Sequence, residues 1–113
     1  MKYNTFIKEN ILFLQLEGDL IGESNGLELM ELVSDKLNDN VIRCAIDLSQ
    51  VRYMNSSGIG VLITLLTKFR NKGGELILIN PSEQIKKLLI ITKLNSIFVI
   101  VDSEQEALQR LTK

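Results

Sequence analysis

The sequence lacks residues on which many active sites depend. Its 113 residues include no histidine, no tryptophan, one proline and a single cysteine, Cys44. Without histidine the chain cannot form a Ser-His-Asp triad, an imidazole general base or a histidine-containing metal site. One cysteine cannot form an internal disulfide or a thiolate zinc site. Because Cys44 lies in the apolar stretch Val41 to Leu48, we expect a buried, reduced thiol.

A strong charge of one sign and a long apolar run are also missing. The formal net charge is −1, with basic and acidic residues interspersed, so no global field favours nucleic acid or an anionic membrane. No apolar run reaches the roughly 18 residues that a membrane span needs, and the amino terminus lacks the apolar core of a signal peptide. We therefore expect a cytoplasmic protein that neither binds nucleic acid directly nor inserts into a membrane.

The composition that remains is typical of a folded globular protein, with 45% hydrophobic and 24% charged residues. The length fits one ordinary domain over residues 1–113. Short apolar and alternating segments predict strands at Tyr3–Ile7, Ile11–Leu16, Val41–Leu48, Leu76–Ile79 and Ile97–Val101. Helical spacing predicts helices through Leu27–Leu37, Ile59–Phe69 and Ile85–Leu89, and a last helix with a Ser103/Glu106 capping box that ends near Leu111.

The order of these elements predicts an α/β fold class. Strands that alternate with helices imply parallel pairing through right-handed crossovers, and the first two strands add an antiparallel hairpin. We expect one mixed sheet of roughly four or five strands, covered by about four helices.

Three patterns look catalytic but lack essential parts. The stretch Gly22–Gly26 fits a G-x-S-x-G nucleophile elbow, yet no histidine can activate Ser24, which is expected to cap a helix. Gly58–Gly60 could begin a dinucleotide fingerprint, but the third glycine position is not glycine. Asp19 and Asp47 follow or end predicted strands and could approach one sheet edge, although turn and cap roles are favoured.

The stretch Asn55–Gly60, "NSSGIG", lies between two apolar segments where a helix is predicted to begin. A serine hydroxyl there could cap the helix, which is worth about 1 kcal/mol. The second hydroxyl and the two glycines would leave the turn approachable by another protein. A phosphate would add about −1.5 to −2 charges where a helix N-terminus favours an anion. The residues alone leave both a plain cap and a phosphorylation switch open.

The segment Asp47–Gly60, "DLSQVRYMNSSGIG", resembles the STAS domain, in particular the stand-alone anti-sigma factor antagonists of bacteria. Their pattern is a strand ending in D-L, a short loop, an aromatic or apolar pair and D-S-[ST]-G-[LI]-G. Asn55 stands in place of the usual aspartate. The resemblance extends along the chain to three further segments, Gly18–Leu20, Gly73–Leu76 and Pro81–Leu89.

This resemblance implies a partner-switching regulator rather than an enzyme. The unmodified antagonist of the family binds an anti-sigma factor that is also a GHKL-type serine kinase, and this binding frees a sigma factor. The kinase phosphorylates the first serine of the motif, here Ser56, with Ser57 a less favoured acceptor, and a PPM-type serine phosphatase restores the antagonist. ATP and magnesium belong to the kinase, so no cofactor or metal is expected in this chain.

The resemblance also predicts a docking surface centred on Ser56. It comprises the helix Ile59–Arg70, the loop Val51–Asn55 and the loop after Gly18, with Ile59 as the best candidate for an exposed apolar contact. The predicted partner-binding residues are Asp19, Ile21, Tyr53, Asn55, Ser56, Ser57, Gly58 and Ile59. An alternative is a STAS module without a phosphorylation switch, either a lipid-transporter accessory subunit or a scaffold in a signalling complex.

Overall fold

A computed structural model describes residues 2–112 and, at positions 23–25, the backbone alone. The strands are β1 (Lys2–Lys8), β2 (Ile11–Leu20), β3 (Arg43–Met54), β4 (Glu75–Ile79) and β5 (Val99–Val101). The helices are α1 (Glu23–Asn38), α2 (Ser56–Asn71), α3 (Glu83–Ile91) and α4 (Glu104–Leu111), with a 3₁₀ turn at Leu94–Ser96. The predicted order of strands and helices is confirmed.

The strands form one mixed sheet in the order β1-β2-β3-β4-β5. A tight turn at Glu9 and Asn10, both with positive φ, makes β1 antiparallel to β2. The remaining neighbours are parallel, and each parallel step contains a helix that returns the chain to the same edge of the sheet. The predicted α/β fold class is therefore confirmed.

Alternation along the strands divides the core between the two faces of the sheet. On one face Leu12, Leu14 and Leu16 of β2 pack with buried residues of α1, α2 and α3. On the other face Ile11 and Phe13 belong to a smaller cluster that includes residues of α4. Full burial of each such side chain stabilises the fold by about 1.5–3 kcal/mol, so both faces hold the sheet in place.

Cys44 lies in the larger cluster and is completely buried as a free thiol. Removal from water raises the pKa of this thiol well above its ordinary range, because burial disfavours the thiolate. The expected burial of Cys44 is confirmed, and the protonated thiol acts as a small apolar core side chain.

The second and third strands are longer than the sequence predicted. Residues 51–54 belong to β3, so the expectation of a loop over Val51–Asn55 is wrong for most of its length. Register shifts in the pairing of β2 with β3 allow the strands to stay paired to their last residues, Leu20 and Met54. Such bulges break the alternation of side chains, and the sequence period therefore conceals the end of each strand.

Asp47 lies inside β3 rather than at its end. Its Oδ1 accepts a hydrogen bond of 2.8 Å from the backbone N–H of Ser49, two residues along. This is the local turn-like contact that short acidic side chains favour. The local role expected for Asp47 is confirmed, while its expected position at the strand end is wrong.

Helix α1 begins one residue before Ser24. The flanking position is Gly22, which has φ of 92° and contributes no capping side chain. The cap role predicted for Ser24 concerns a side chain that lies outside the described residues. A glycine fits this position because φ is positive there.

The end of the chain follows the sequence prediction more closely. The Ser103 hydroxyl accepts from the Glu106 backbone N–H at 3.1 Å, and the Glu106 carboxylate accepts from the backbone N–H of Asp102. This confirms a reciprocal cap at α4. The Glu106 carboxylate accepts from the residue before the N-cap residue Ser103 rather than from Ser103 itself. Strand β5 begins at Val99 rather than Ile97, because the 3₁₀ turn occupies the chain just before it.

Candidate functional site

The corner between β3 and α2 carries the serine motif. Asn55 has extended backbone between the two elements, and its Oδ1 accepts a hydrogen bond of 2.8 Å from the backbone N–H of Gly58. This is a standard N-cap contact, worth about 1 kcal/mol. The expectation that a serine hydroxyl caps α2 is therefore wrong, because the preceding amide side chain takes that role.

The cap leaves Ser56 and Ser57 available. Both residues are exposed in the first turn of α2. Neither hydroxyl makes a hydrogen bond to the described part of the chain. The first turn of α2 contains no acidic residue, and the unpaired N–H groups of a helix N-terminus favour a negative group nearby. Both hydroxyls are thus exposed where an added anion would be electrostatically favoured.

The two serines differ in their neighbours. Ser57 lies against the β2–α1 connection, since a Cβ built on Gly22 would be 2.7 Å from the Ser57 Cβ. Ser57 also lines a groove between α1 and α2, whereas Ser56 does not. Ser56 is therefore the less confined of the two side chains.

Gly58 holds the start of α2 close to the end of β2. It is buried, and a Cβ at this position would come within 2.2 Å of the Leu20 carbonyl oxygen. Only a glycine lets the two backbones approach so closely. The fold alone therefore explains why position 58 is a glycine. The predicted contact of Gly58 with a partner stays a prediction.

Asp19 lies in β2 beside the corner and forms an ion pair with Arg52 of β3. The Arg52 Nε and an Nη donate to the two carboxylate oxygens of Asp19 at 3.0 and 3.1 Å. This hydrogen bonding lowers the pKa of Asp19 below its usual range, because the guanidinium favours the charged carboxylate. The turn or cap role expected for Asp19 is wrong, since the side chain links two neighbouring strands.

Asp19 and Asp47 do not form a paired-acid site. Asp19 pairs with Tyr53 across the sheet and Asp47 pairs with Gln15. Tyr53 lies six positions beyond Asp47 on β3, which corresponds to roughly 20 Å along a strand. Two carboxylates so far apart cannot share one proton-transfer step.

The exposed apolar side chains near the corner differ from those expected. Ile59 is half-buried and packs against the larger core, so the expectation that it is the main exposed apolar contact is wrong. Ile21 and Tyr53 are 50% and 47% exposed, and Leu27 of α1 is 66% exposed. These three offer more apolar surface to a partner than Ile59 does.

Grooves lie on two sides of the corner. One has a volume of about 610 Å³ between α1 and α2 and is lined in part by Gly22, Leu27, Ser57 and Gly60. Another, of about 220 Å³, lies between Tyr53 at the end of β3 and Ile91 of α3. The sequence pattern placed Leu27 at the start of a predicted helix and gave Ile91 no role. Helical spacing alone could not show which apolar positions remain uncovered.

Within residues 2–112, no group of three or more acidic, cysteine or histidine side chains is placed to hold a metal ion. None of the helices described has both the length and the apolar character required to cross a membrane.

Comparison with known proteins gives a consistent result. The model of the STAS domain family matches residues 2–107. An anti-sigma F factor antagonist of Paenibacillus polymyxa is 26% identical over 101 residues, which cover 89% of this chain and 86% of that protein. The crystal structure of a candidate anti-sigma factor antagonist from Thermotoga maritima is 25% identical with a TM-score of 0.89, and the match covers 98% of this chain and 95% of that one.

The structure of the Bacillus cell fate determinant SpoIIAA in its phosphorylated form is 19% identical with a TM-score of 0.76. The match covers 96% of this chain and 98% of that one and concerns the fold alone. The sheet order, the serine motif at the start of α2 and the family match over nearly the whole length agree. The chain belongs to the STAS domain family.

Proposed function

We propose that this chain is an anti-sigma factor antagonist whose binding is switched off by phosphorylation of Ser56. It binds an anti-sigma factor that is also a GHKL-type serine kinase, releases a sigma factor, and is reset by a PPM-type serine phosphatase in the cytoplasm. The observation that carries the proposal is the cap of α2: Asn55 accepts from the Gly58 N–H, and Ser56 is left exposed with no hydrogen bond to the described part of the chain. A relative named as an anti-sigma F factor antagonist supports the partner class.

Local electrostatics explain how one phosphate could change binding without unfolding the protein. Ser56 is the first residue of α2, where unpaired backbone N–H groups and the helix dipole favour about −1.5 to −2 added charges. The free protein therefore tolerates the phosphate. A partner docked over Ser56 would have to bury that dianion, which costs several kcal/mol unless cationic groups face it. Phosphorylation would thus open the complex.

Packing favours Ser56 over Ser57 as the acceptor. The Ser57 side chain lies against Gly22 and faces the α1/α2 groove, so a phosphate there would be crowded by the β2–α1 connection. Ser56 lies outside that groove. A kinase could therefore reach the Ser56 hydroxyl with less displacement of the surrounding chain.

The test is phosphorylation by each purified GHKL-type anti-sigma factor of the source organism, with ATP and magnesium. We expect the unmodified chain to bind one of them and to gain a single phosphate by intact mass. The Ser56→Ala variant should gain none, and the matched Ser57→Ala variant should still gain one. Phosphate that persists in Ser56→Ala would refute the acceptor. Specific binding to a transporter ATPase subunit, with no anti-sigma factor bound, would favour the alternative accessory module.

A further inference from the structure

Gly60 lies inside helix α2, at a position where the fold would also accept a residue with a side chain. A Cβ built there meets no heavy atom within 4 Å. Gly26, Gly22 and Gly58 differ, since a Cβ at each would approach a neighbouring atom to 2.8, 2.7 and 2.2 Å. Glycine weakens a helix interior relative to alanine, so Gly60 lowers the stability of α2 without relieving any clash in the free protein.

The space above Gly60 is the groove between α1 and α2. Leu27, Met30 and Val61 supply apolar surface to it, and no charged side chain lines it among the described residues. Leu27 is two-thirds exposed, so the groove is open along one side. An open apolar groove would leave a small ligand largely in water, whereas a protein surface would cover it.

One end of this groove is acidic. An adjoining depression of about 330 Å³ shares Leu27 and Met30 with the groove and is also lined by Glu31, Ser34 and Asp35. Among the described residues, both charged side chains that line this depression are acidic. A partner that places Lys or Arg there would therefore meet a surface of complementary charge.

The other end of the groove reaches the serine motif. Gly60 lies four residues after Ser56 and three after Ser57, so it shares their side of α2. Helical side chains lean toward the N-terminus, and any side chain at position 60 would lean over the two hydroxyls. The glycine therefore keeps both the groove and the serines uncovered.

We propose that this groove receives an apolar side chain of the anti-sigma factor, flanked by a Lys or Arg that faces Glu31 and Asp35. The inference rests on the proposed function and names the partner surface that the function requires. Gly60 forms the floor of the groove, and Leu27 forms one of its walls. The basic flank lies at the end away from Ser57, because Glu31 and Asp35 line only the adjoining depression.

The first test fills the groove with a larger side chain at position 60 and measures binding to the partner. Binding of the unmodified chain to the GHKL-type anti-sigma factor that captures it is measured by isothermal titration. We expect Gly60→Leu to weaken binding at least about tenfold, because the added side chain fills the groove that would receive the partner's apolar side chain. Gln109→Leu adds the same side chain at an exposed position of α4, on the other face of the sheet, and should bind like the unmodified chain.

Alanine substitutions separate docking from folding. Gly60→Ala should raise the thermal midpoint, because it meets open space, while Gly58→Ala should lower it. A lower midpoint for Gly60→Ala would show that the glycine serves the fold and would overturn the inference.

Neutralising the acidic end tests the charge of the partner. The double variant Glu31→Gln/Asp35→Asn should slow association by about threefold or more and flatten its dependence on salt, whereas Glu104→Gln on α4 should change neither. Unchanged rates in the double variant would refute the basic flank.

Failure of the inference can be told from failure of the proposed function. If the unmodified chain binds no anti-sigma factor, the proposed function is wrong and the inference falls with it. If the unmodified chain binds and Gly60→Leu binds equally well, the proposed function stands and the groove is not the docking site.

Discussion

Single residues at the β3–α2 corner have separate duties. Asn55 caps the helix, Gly58 allows the close approach to β2, and Ser56 makes no hydrogen bond to the described part of the chain. This division explains how the site could accept a modification without loss of the fold. Chemistry at Ser56 would leave the cap and the close approach intact.

Removal of the Asn55 side chain is expected to reveal the cap. Asn55→Ala should lower the free energy of unfolding by about 1 kcal/mol, since the Gly58 N–H loses its acceptor. Asn55→Asp keeps an acceptor oxygen and places a negative charge at a helix N-terminus, so its stability should equal or exceed that of the unmodified chain. Urea denaturation of the three proteins measures these differences. An Asn55→Ala midpoint equal to that of the unmodified chain would argue against the cap.

At the scale of elements, the Asp19–Arg52 ion pair links the ends of β2 and β3 beside the corner. The two strands also change register in this region, so the ladder alone does not fix their last residues as firmly as in the middle of the sheet. A bidentate pair between neighbouring strands adds a geometric constraint where the pairing is irregular. The effect on stability is small because the pair is exposed to solvent.

The pair predicts a modest dependence of stability on pH. The pKa of Asp19 is lower in the folded protein than its ordinary value of about 3.9. Its contribution is therefore present above that value and is lost as the pH falls through the folded pKa. The difference in urea midpoint between the unmodified chain and Asp19→Asn should shrink in that acidic range. Arg52→Gln should show the same trend, and a difference that is constant from neutral to acidic pH would contradict it.

At the scale of the whole molecule, the serine corner lies at the carboxyl ends of β2 and β3, where the parallel strands pass into α1 and α2. The larger core beneath it joins α1, α2 and α3 to the sheet, while α4 packs on the other face. The corner is thus formed by the ends of strands and the start of a helix that pack on the core. A switch at this surface can act by changing what binds, without rearranging the fold.

A negative charge at Ser56 should therefore separate binding from stability. Ser56→Asp should change the free energy of unfolding by no more than about 0.5 kcal/mol, as is usual for surface substitutions. It should weaken binding to the anti-sigma factor at least about tenfold, because a buried unpaired charge is costly. Gln105→Asp adds the same charge to the first turn of α4 and should leave binding unchanged. Parallel thermal melts and titrations decide the matter, and a large loss of stability would mean that Ser56 has a structural role.

The sequence by itself determined the elements, their order and the α/β class, because each rests on local periodicity and on short-range turn chemistry. It also placed the serine motif at the start of a helix, and its resemblance to a known pattern pointed to Ser56. Tertiary structure decided that Asp19 pairs with Arg52, that Ile59 is partly covered, and that Gly60 lies open beside Leu27. These properties depend on how β2, β3 and α1 approach the corner. Contacts between segments far apart in the chain leave no periodic mark in the sequence, and only the folded arrangement shows which groups remain free to act.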